Sequence, residues 1–348
     1  MKRHPIVFRL ALVLMLMGLV AGLAACKKKA ASKPPAVTSE PTVTASQATW
    51  PLTGLPASDS SVVKRRPLAV KIENLKAARP QTGINSADIV YETTVEGGIT
   101  RFNCLFDSTI PATVGPVRSA RLSDFWIVPQ YQGLFFYSGS NSQVDKGLKP
   151  RNMTKLSYNS ATSLYHRISG RKAPHNLYLS LSQAYAAAQK RGIAIAGSGP
   201  NPGLVFGELS SGETTTPASA IDIPFSVLSH VNWTWDSATK HYLRSNDGAI
   251  SIDALTGKQL WATNIVVMWA NYTTESKLDP AGNPTYDITL GGTGKAAVFR
   301  NGVRIDGTWS ATANTPPTFT DAQGKTIPLE PGRTWFEVPR VTVNVTNK

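Results

Sequence analysis

The segment Pro67-Leu68-Ala69-Val70-Lys71-Ile72-Glu73-Asn74 decides the type of fold, because after its proline it alternates in the way of a β-strand. The segments 87–93 and 100–106 have the composition of two more strands, and a pair of glycines between them indicates a turn. The short apolar segment 134–137 is consistent with a fourth, buried strand. The first folded part of the chain is therefore predicted to contain a β-sheet.

A helix is predicted in the same part of the chain. Residues 181–191 carry Ala, Gln and Lys at the density of a helix, and Gly192 follows where a helix commonly ends. Strands mixed with a helix predict a mixed α/β domain over 51–197. The segment after it is rich in Gly, Ser, Pro and Thr, and we interpret it as a linker over 198–220.

The last third of the chain has the composition of a β-protein. Glycines separate most of the predicted strand segments, which are 231–235, 241–244, 260–272, 286–290, 296–300, 307–310 and 334–345. Six of the eight tryptophans also lie here, at 233, 235, 261, 269, 309 and 335. Buried tryptophans pack the interior of many small domains, so a tryptophan-rich core is favoured over a carbohydrate-stacking surface. The sequence thus predicts an α+β fold, in which a smaller β-rich C-terminal domain over 221–348 follows the mixed α/β N-terminal domain.

The N-terminus has the pattern of a secretory signal peptide. Three basic residues precede an uncharged apolar stretch that is short for a membrane span, since a spanning helix needs about 20 residues. The stretch Leu23-Ala24-Ala25-Cys26 resembles the lipobox of bacterial lipoproteins, in which the cysteine receives lipid and becomes the mature N-terminus. We therefore predict a lipoprotein signal peptide over 1–25 and lipidation of Cys26.

Residues 26–50 are predicted to form a disordered tether. Three consecutive lysines follow Cys26, and the remainder is mostly Ala, Ser, Thr, Pro and Val without periodicity. Such a segment cannot bury enough apolar area to offset the entropy lost on ordering. Its lysines suit anionic headgroups, at about 1 kcal/mol each. The predicted location is the extracytoplasmic face of a bacterial cell membrane, with the membrane as a partner through lipid on Cys26.

The net charge indicates which partners to expect, and the cysteine content indicates whether disulfides can form. The chain has 348 residues with 36 Lys plus Arg and 22 Asp plus Glu, a formal net charge of +14. Outside the cell, this balance suggests wall polymers or anionic headgroups as neighbours. Nucleic acid is not expected, because the sequence has no long basic tract, zinc pattern or aromatic RNA-binding motif. With Cys26 lipidated, Cys104 is the one remaining thiol, so no internal disulfide is predicted.

Four polar clusters interrupted by Gly or Pro stand out in the predicted α/β domain, and such loops usually carry function. They lie at 78–83, 91–101, 115–121 and 173–178. Their shared feature is arginine, at Arg79, Arg101, Arg118 and Arg121. We predict that these arginines converge on one cleft. Guanidinium groups pair bidentately with carboxylates and phosphates, so the expected ligand is anionic, such as a peptide carboxylate or a wall-polymer phosphate.

The same part of the chain supplies acidic residues, and these permit another interpretation. Asp88, Glu92 and Glu96 could neutralise the arginines in structural ion pairs. The residues alone leave both interpretations open. If the cleft exists, its predicted ligand-binding set is completed by Glu92, Glu96, His175 and Asn176.

The alternative to a binding protein is a cell-wall-directed hydrolase or transferase. It would use His175 as a general base, oriented by Asn176, with Glu92 or Glu96 as the acid. Ser119 does not lie in a Gly-x-Ser-x-Gly elbow, and no two histidines have the i, i+4 spacing of a helical zinc site. We therefore predict no metal and no cofactor, and we favour non-catalytic binding of a cell-wall polymer, a peptide or an envelope protein.

The polar clusters also resemble a known family, the YerB-like bacterial lipoproteins with DUF3048 N-terminal and C-terminal domains. The segments that carry the resemblance are 51–54, 66–74, 79–83, 87–92, 96–101, 115–121 and 173–178, followed by 257–260, 307–309 and 331–335. Where family members tend to have a histidine before Gly-Gly-Ser, this chain has Tyr137-Ser138-Gly139-Ser140. The resemblance implies a lipid anchor and two domains, and it implies no particular reaction.

Overall fold

The computed structural model describes residues 48–148, 153–197, 203–279 and 282–348. All of them belong to one compact unit, Ser46–Lys348. The predicted signal peptide, Cys26 and nearly all of the predicted tether lie outside the described residues, as does the beginning of the predicted linker. Within the described ranges, no helix is both long and apolar enough to cross a bilayer.

The N-terminal part of the unit mixes strands with short helices. Its described strands are β1 (Leu68–Glu73), β2 (Ile89–Thr94), β3 (Thr100–Phe106), β4 (Leu134–Tyr137), β5 (Thr154–Ser157), β6 (Tyr165–Arg167) and β7 (Leu177–Leu179). Its α-helices are α1 (Asp124–Gln130), α2 (Ser142–Leu148) and α3 (Ala184–Lys190). Short 3-10 helices cover Val62–Lys64, Lys76–Ala78, Ile84–Ser86, Glu96–Gly98, Thr162–Leu164 and Leu181–Gln183.

The C-terminal part is built from strands. In chain order they begin with β8 (Thr216–Pro217), β9 (Ala220–Ser226), β10 (Ser229–Asp236), β11 (His241–Asn246), β12 (Ala249–Ile250), β13 (Trp261–Ala262) and β14 (Asn264–Met268). They continue with β15 (Tyr272–Leu278), β16 (Pro284–Ile288), β17 (Gly292–Arg300), β18 (Val303–Ala311), β19 (Thr318–Thr320), β20 (Thr334–Val338) and β21 (Thr346–Asn347).

One sheet runs through both parts of the chain. Among the described residues it has eleven strands, ordered β19-β18-β17-β14-β20-β2-β3-β1-β4-β5, with β8 paired to β18. The link between the two parts is the parallel pairing of β20 with β2, which places Glu92 beside Glu337. Because main-chain hydrogen bonds cross this junction, the two parts share a backbone scaffold and do not meet through side chains alone.

The two faces of the large sheet carry different cores. Alternate residues of a strand point to opposite faces. Val70 and Phe102 join one apolar cluster with Trp233 of β10, a strand of the second, six-stranded sheet. Ala69 and Leu105 join another cluster with residues of helix α1. The charged residues Lys71, Glu73 and Arg101 continue the second face at the end of β1, whereas Glu92 continues the first.

The structure confirms the predicted α+β class, with helices in the N-terminal part and a β-rich C-terminal part. Strands β3 and β4 begin and end where the sequence indicates. The segment 260–272 is not one strand but contains β13, β14 and the start of β15. Four of the tryptophans, at 233, 269, 309 and 335, are buried, in agreement with a tryptophan-rich core. The domain limits drawn from sequence stay a prediction.

Candidate anion-binding site

A buried ion pair lies on the α1 side of the large sheet. Lys71 of β1 is fully buried, and its Nζ lies 2.7 Å from Oδ1 of Asp124, at the start of α1. Asn103, opposite Lys71 on β3, donates to the same oxygen over 3.0 Å. The backbone N–H of Arg121 donates to the other carboxylate oxygen at 2.7 Å. Helix α1 is thereby fixed to the sheet, and the loop that carries Arg118 and Arg121 is joined to the same carboxylate.

Two of the predicted arginines form ion pairs close to the buried Lys71–Asp124 pair. Nε of Arg118 lies 3.0 Å from Oε1 of Glu73, whose side chain is fully buried. Nε of Arg121 lies 2.6 Å from Oε2 of Glu96. The side chains of Arg118 and Arg121 keep 21% and 13% of their surface exposed, so both are partly accessible to solvent.

Glu96 is held as a carboxylate by its neighbours. Burial raises the pKa of Glu96, but the charge of Arg121, its hydrogen bond and the charge of Arg101 outweigh burial, so the net pKa is lowered. The other carboxylate oxygen accepts a hydrogen bond of 3.0 Å from the hydroxyl of Thr285 in β16. The C-terminal part of the chain therefore contributes directly to the surroundings of the arginines.

Arg101 differs from the other two arginines, because it forms no ion pair with any described residue. It lies opposite Glu73 in the β1–β3 register and is 5% exposed. Its Nη1 donates to the carbonyl oxygen of Ser119 at 3.1 Å, while its buried Nε has no hydrogen-bond partner among the described residues. Burial lowers the pKa of Arg101 to about 9, and the positive charges of Arg121 and Arg118 contribute to the shift.

We call Arg101, Arg118, Arg121, Glu73 and Glu96 the arginine cluster. With the Lys71–Asp124 pair beneath it, four cationic side chains share the site with three carboxylates. With every one of these groups charged, the set has one excess positive charge, and Arg101 is its one cation without an ion pair among the described residues. Such a guanidinium is stabilised by an anion placed within hydrogen-bond reach.

His175 also contacts the arginine cluster, but through a residue that the sequence analysis did not select. Its Nδ1 lies 3.0 Å from Oε2 of Glu73, and its side chain is 21% exposed. Neither Glu92 nor Glu96, the two predicted acids, is its partner. Asn176 serves the β6–β7 hairpin instead, since its Oδ1 accepts from Arg167 at 2.7 Å and its Nδ2 donates to the carbonyl of Ile168 at 3.2 Å.

Arg79 lies outside the arginine cluster, so the structure does not bring all four predicted arginines together. Its Nη1 pairs with Asp247 at 2.7 Å, and its Nη2 donates to the carbonyl oxygen of Asn74 at 2.7 Å. The Asn74 side chain in turn donates to Glu92 at 3.1 Å. Arg79 is therefore connected to groups on the opposite face of the large sheet, because successive residues of β1 point to opposite faces.

Glu92 belongs to a fully buried network on that opposite face. Arg244 of β11 donates to it over 2.7 Å, and both side chains are at most 1% exposed. The Arg244 guanidinium lies over Phe102 and Trp335, with ring centroids 5.3 and 5.2 Å away. Asp88, the third predicted acid, instead accepts from the backbone N–H groups of 107 and 108. The expected ion pairs of Glu92 or Asp88 with the four arginines are thus absent from the described structure, and only the Glu96 pair is present.

Glu337 of β20 lies beside Glu92 in the register of the two parallel strands. Burial raises the pKa of Glu337 well above its ordinary value, and the nearby charge of Glu92 raises it further. Trp233 donates its indole N–H to Glu337 over 2.7 Å. We call Glu92 and Glu337 the carboxyl pair: Glu92 faces the cation, and Glu337 holds a proton at pH values where a surface glutamate is ionised.

Known proteins match this chain along most of its length. Residues 52–194 match the N-terminal domain of DUF3048, a family of proteins of unknown function, and residues 221–336 match the C-terminal domain of that family. The chain belongs to the DUF3048 family. It is 33% identical over 302 residues to YerB of Bacillus subtilis (strain 168), which carries the name of a candidate lipoprotein; the match covers 85% of this chain and 87% of that protein. A crystal structure of YerB protein from Bacillus subtilis superposes with a TM-score of 0.74 at 31% identity, covering 86% of this chain and all of the other.

The resemblance of this chain to the YerB-like proteins is confirmed by these matches. The segment in which the sequence analysis expects a departure from the family pattern borders the arginine cluster. In the segment Tyr137-Ser138-Gly139-Ser140, the N–H of Ser138 donates to the carbonyl of Arg118 at 3.0 Å. The hydroxyls of Ser119 and Ser138 lie 3.4 Å apart. The side chain of Tyr137, at the start of this segment, is buried.

Sequence reasoning missed Glu73 and Lys71 as members of the site. The available signal was their spacing, because two charged residues two positions apart in an otherwise apolar strand share one face. Asp124 had no comparable signal, since its role depends on where α1 lies against the sheet. Within the described ranges, no group of three or more His, Cys, Asp or Glu side chains is arranged to bind a metal.

Proposed function

We propose that this protein is a membrane-anchored extracytoplasmic lipoprotein whose arginine cluster binds an anionic group of a cell-wall polymer or peptide. The name of the Bacillus subtilis relative supports the lipoprotein part, as does the lipobox-like sequence that ends in Cys26. Binding, rather than catalysis, is the role that the geometry supports best.

The observation that carries the binding proposal is the unpaired, buried Arg101. Burial and two neighbouring arginines lower its pKa to about 9, against a smaller opposite effect of Glu96 and Glu73, so an added negative charge would be stabilised there. Arg118 and Arg121 are partly exposed beside it and supply further N–H donors. A phosphate or carboxylate has two oxygens at the spacing that a guanidinium group bonds bidentately.

The binding test uses the purified full chain in mild detergent, with two separate probes. Solubilised peptidoglycan fragments present carboxylates, and teichoic acid fragments present phosphates. Arg118→Gln should weaken the binding of one of them roughly 10- to 150-fold, the equivalent of about 1.5 to 3 kcal/mol for hydrogen bonds to a charged group. Binding should also weaken as salt rises, since screening shortens to about 8 Å at 0.15 M ionic strength.

Arg304→Gln is the matched control. Arg304 is a paired arginine of similar exposure, 16%, held by Asp306 in the C-terminal part. Its replacement should leave the affinity within about twofold of the unsubstituted chain. Equal losses in both variants would mean that the probes respond to total charge, and the binding site would then not be the arginine cluster.

The contact between His175 and Glu73 favours a second candidate, a cell-wall-directed hydrolase or transferase. A carboxylate bound to one ring nitrogen orients the imidazole and supports general base action by the other nitrogen. The full chain incubated with peptidoglycan would then give new products by mass spectrometry, and His175→Ala would abolish them. Retention of the polymer without product supports binding alone.

The anchor is tested separately through Cys26. Replacing Cys26 by Ala should release the protein from the membrane fraction and abolish the incorporation of labelled fatty acid, because a lipid chain contributes about 0.8 kcal/mol per buried methylene. A variant that stays in the membrane fraction with unchanged acylation would contradict the anchor. It would leave the binding proposal intact, since the two rest on different residues.

A further inference from the structure

A second candidate surface lies around the Arg79–Asp247 ion pair. A cavity of about 370 Å³ lies on one side, between Arg79 and the β12 strand that carries Ile250. Another, of about 330 Å³, lies against Leu75 and the β9–β10 turn. Lys76, Arg79 and Asp247 line both cavities, so the cavities are neighbours separated by the ion pair.

The walls of these two cavities are unusually apolar for an exposed surface. Val227 and Leu228, at the tip of the β9–β10 turn, are 101% and 59% exposed, and Ile250 is 62% exposed. Single exposed apolar side chains are common on proteins, but several that line two neighbouring cavities favour an interaction site. We call these residues with Lys76 and Arg79 the apolar groove.

The charges around the apolar groove favour an acidic occupant. Asp247 is satisfied by Arg79 and by the backbone N–H of His230. The fully buried Asp253 accepts from three backbone N–H groups and is not available either. Lys76 is exposed and forms no ion pair with a described residue. Among the residues that line the two cavities, the rim is therefore positive and Asp247 is already paired.

A second copy of the chain fits this surface poorly. In a symmetric dimer the same patch faces itself, which would bring the two Lys76 side chains together. Like charges placed opposite each other at an interface are unfavourable.

The membrane that carries the anchor is less suited to the recessed part of this surface. A bilayer presents a broad headgroup face, whereas the two cavities, of about 370 and 330 Å³, are recesses that individual apolar side chains can enter.

We propose that the apolar groove docks a segment of a partner protein that has two apolar side chains flanking a carboxylate. The apolar side chains fill the two cavities, and the carboxylate meets Lys76 above the Arg79–Asp247 pair. This surface is separate from the arginine cluster and does not require that site to bind an anion.

The test is photocrosslinking of the full-length protein in the cells that make it. A benzophenone amino acid is placed at Leu228, and in a matched control at Leu278, a leucine of similar exposure, 53%, on β15. The expected result is a crosslink specific to position 228, mapped by mass spectrometry to a partner segment with the stated acidic and apolar pattern. Crosslinks to lipid, to a second copy of this chain, to a segment without that pattern, or equally from both positions would overturn the proposal, and so would the absence of any crosslink.

A synthetic peptide with the mapped sequence then provides the quantitative step. Leu228→Asp should weaken its binding at least about tenfold, because a charge would enter an apolar cavity, while Leu278→Asp should leave it unchanged. Lys76→Glu should weaken binding and Lys76→Arg should preserve it. A peptide that binds all four variants equally would overturn the proposal. Because the substituted positions are exposed, the variants are expected to fold, so a loss of binding would not be due to misfolding.

Discussion

The arginine cluster and the carboxyl pair lie on opposite faces of the same strands and show two ways to hold charge in a folded protein. The carboxyl pair is sealed: Glu92, Glu337 and Arg244 are at most 1% exposed, and aromatic rings surround the guanidinium. The arginine cluster is partly open, with Arg118 and Arg121 reached by solvent. At the carboxyl pair, Arg244 compensates the charge of Glu92. The arginine cluster has one more cation than it has carboxylates to pair with.

This difference separates structural from functional roles more clearly than residue type does. Glu92 and Arg101 are both buried charged residues on adjacent strands. In the β2–β3 register Glu92 lies opposite Phe102 and Arg101 lies opposite Thr93, so the two are offset by one position. Arg244 lies 2.7 Å from Glu92, whereas Arg101 forms no ion pair in the described structure and is subject to the charges of Arg121 and Arg118 as well as those of Glu96 and Glu73. A buried charge that is already paired supports the fold, and one that is left unpaired favours a ligand.

The largest expected effect is on the sealed side. Arg244→Met should lower the free energy of unfolding by roughly 3 to 5 kcal/mol, because it leaves Glu92 buried without its cation. Urea unfolding followed by tryptophan fluorescence measures this change. The double variant Arg244→Met, Glu92→Gln should recover much of the loss, since no unpaired charge remains. A loss below about 1 kcal/mol for the single variant would show that Glu92 does not need Arg244 to compensate its buried charge.

A smaller and pH-dependent effect is expected at Glu337. Its pKa in the folded state is raised, mainly by burial, so its contribution to stability is present at low pH and is lost as the pH rises through the folded-state pKa. Glu337→Gln removes that loss. The stability of the variant relative to the unsubstituted chain should therefore increase between pH 5 and pH 8, by at most about 1.4 kcal/mol per pH unit. A difference that is constant with pH would contradict a protonated Glu337.

The smallest expected effect on stability is at Arg101. Arg101→Gln loses one hydrogen bond to the Ser119 carbonyl and the attraction of Glu96 and Glu73, but it also removes the cost of burying the charge and the repulsion from Arg118 and Arg121. The free energy of unfolding should therefore change by less than about 1 kcal/mol. The same variant should weaken binding of the anionic wall probe. Thermal melting and a binding titration on one preparation measure both. A large loss of stability with unchanged binding would show that Arg101 has a structural role, as Arg244 does. The proposed difference between the two faces of the sheet would then be wrong.

Local patterns were enough to find several elements of the fold. β3 and β4 were predicted at the correct limits because aromatic and other apolar residues predominate in them and turn residues lie beside them. Helix α1 was missed: it is only one to two turns long, contains Pro129, and takes its stability from packing against the sheet. The segment 260–272 was predicted as one strand, since its apolar residues do not reveal that three different pairings divide it.

For the site, the sequence by itself determined the residue types: arginines in polar loops, acidic residues close by, and a lipobox-like stretch that ends in Cys26. Only the tertiary structure decided which of them meet. The alternation of β1 sends Glu73 to the arginine cluster and Asn74 to the opposite face with Arg79, and the pairing of β20 with β2 puts Glu337 beside Glu92. Contacts between residues far apart in the chain depend on strand order and register, and the order of the residues along the chain does not encode these in any local pattern.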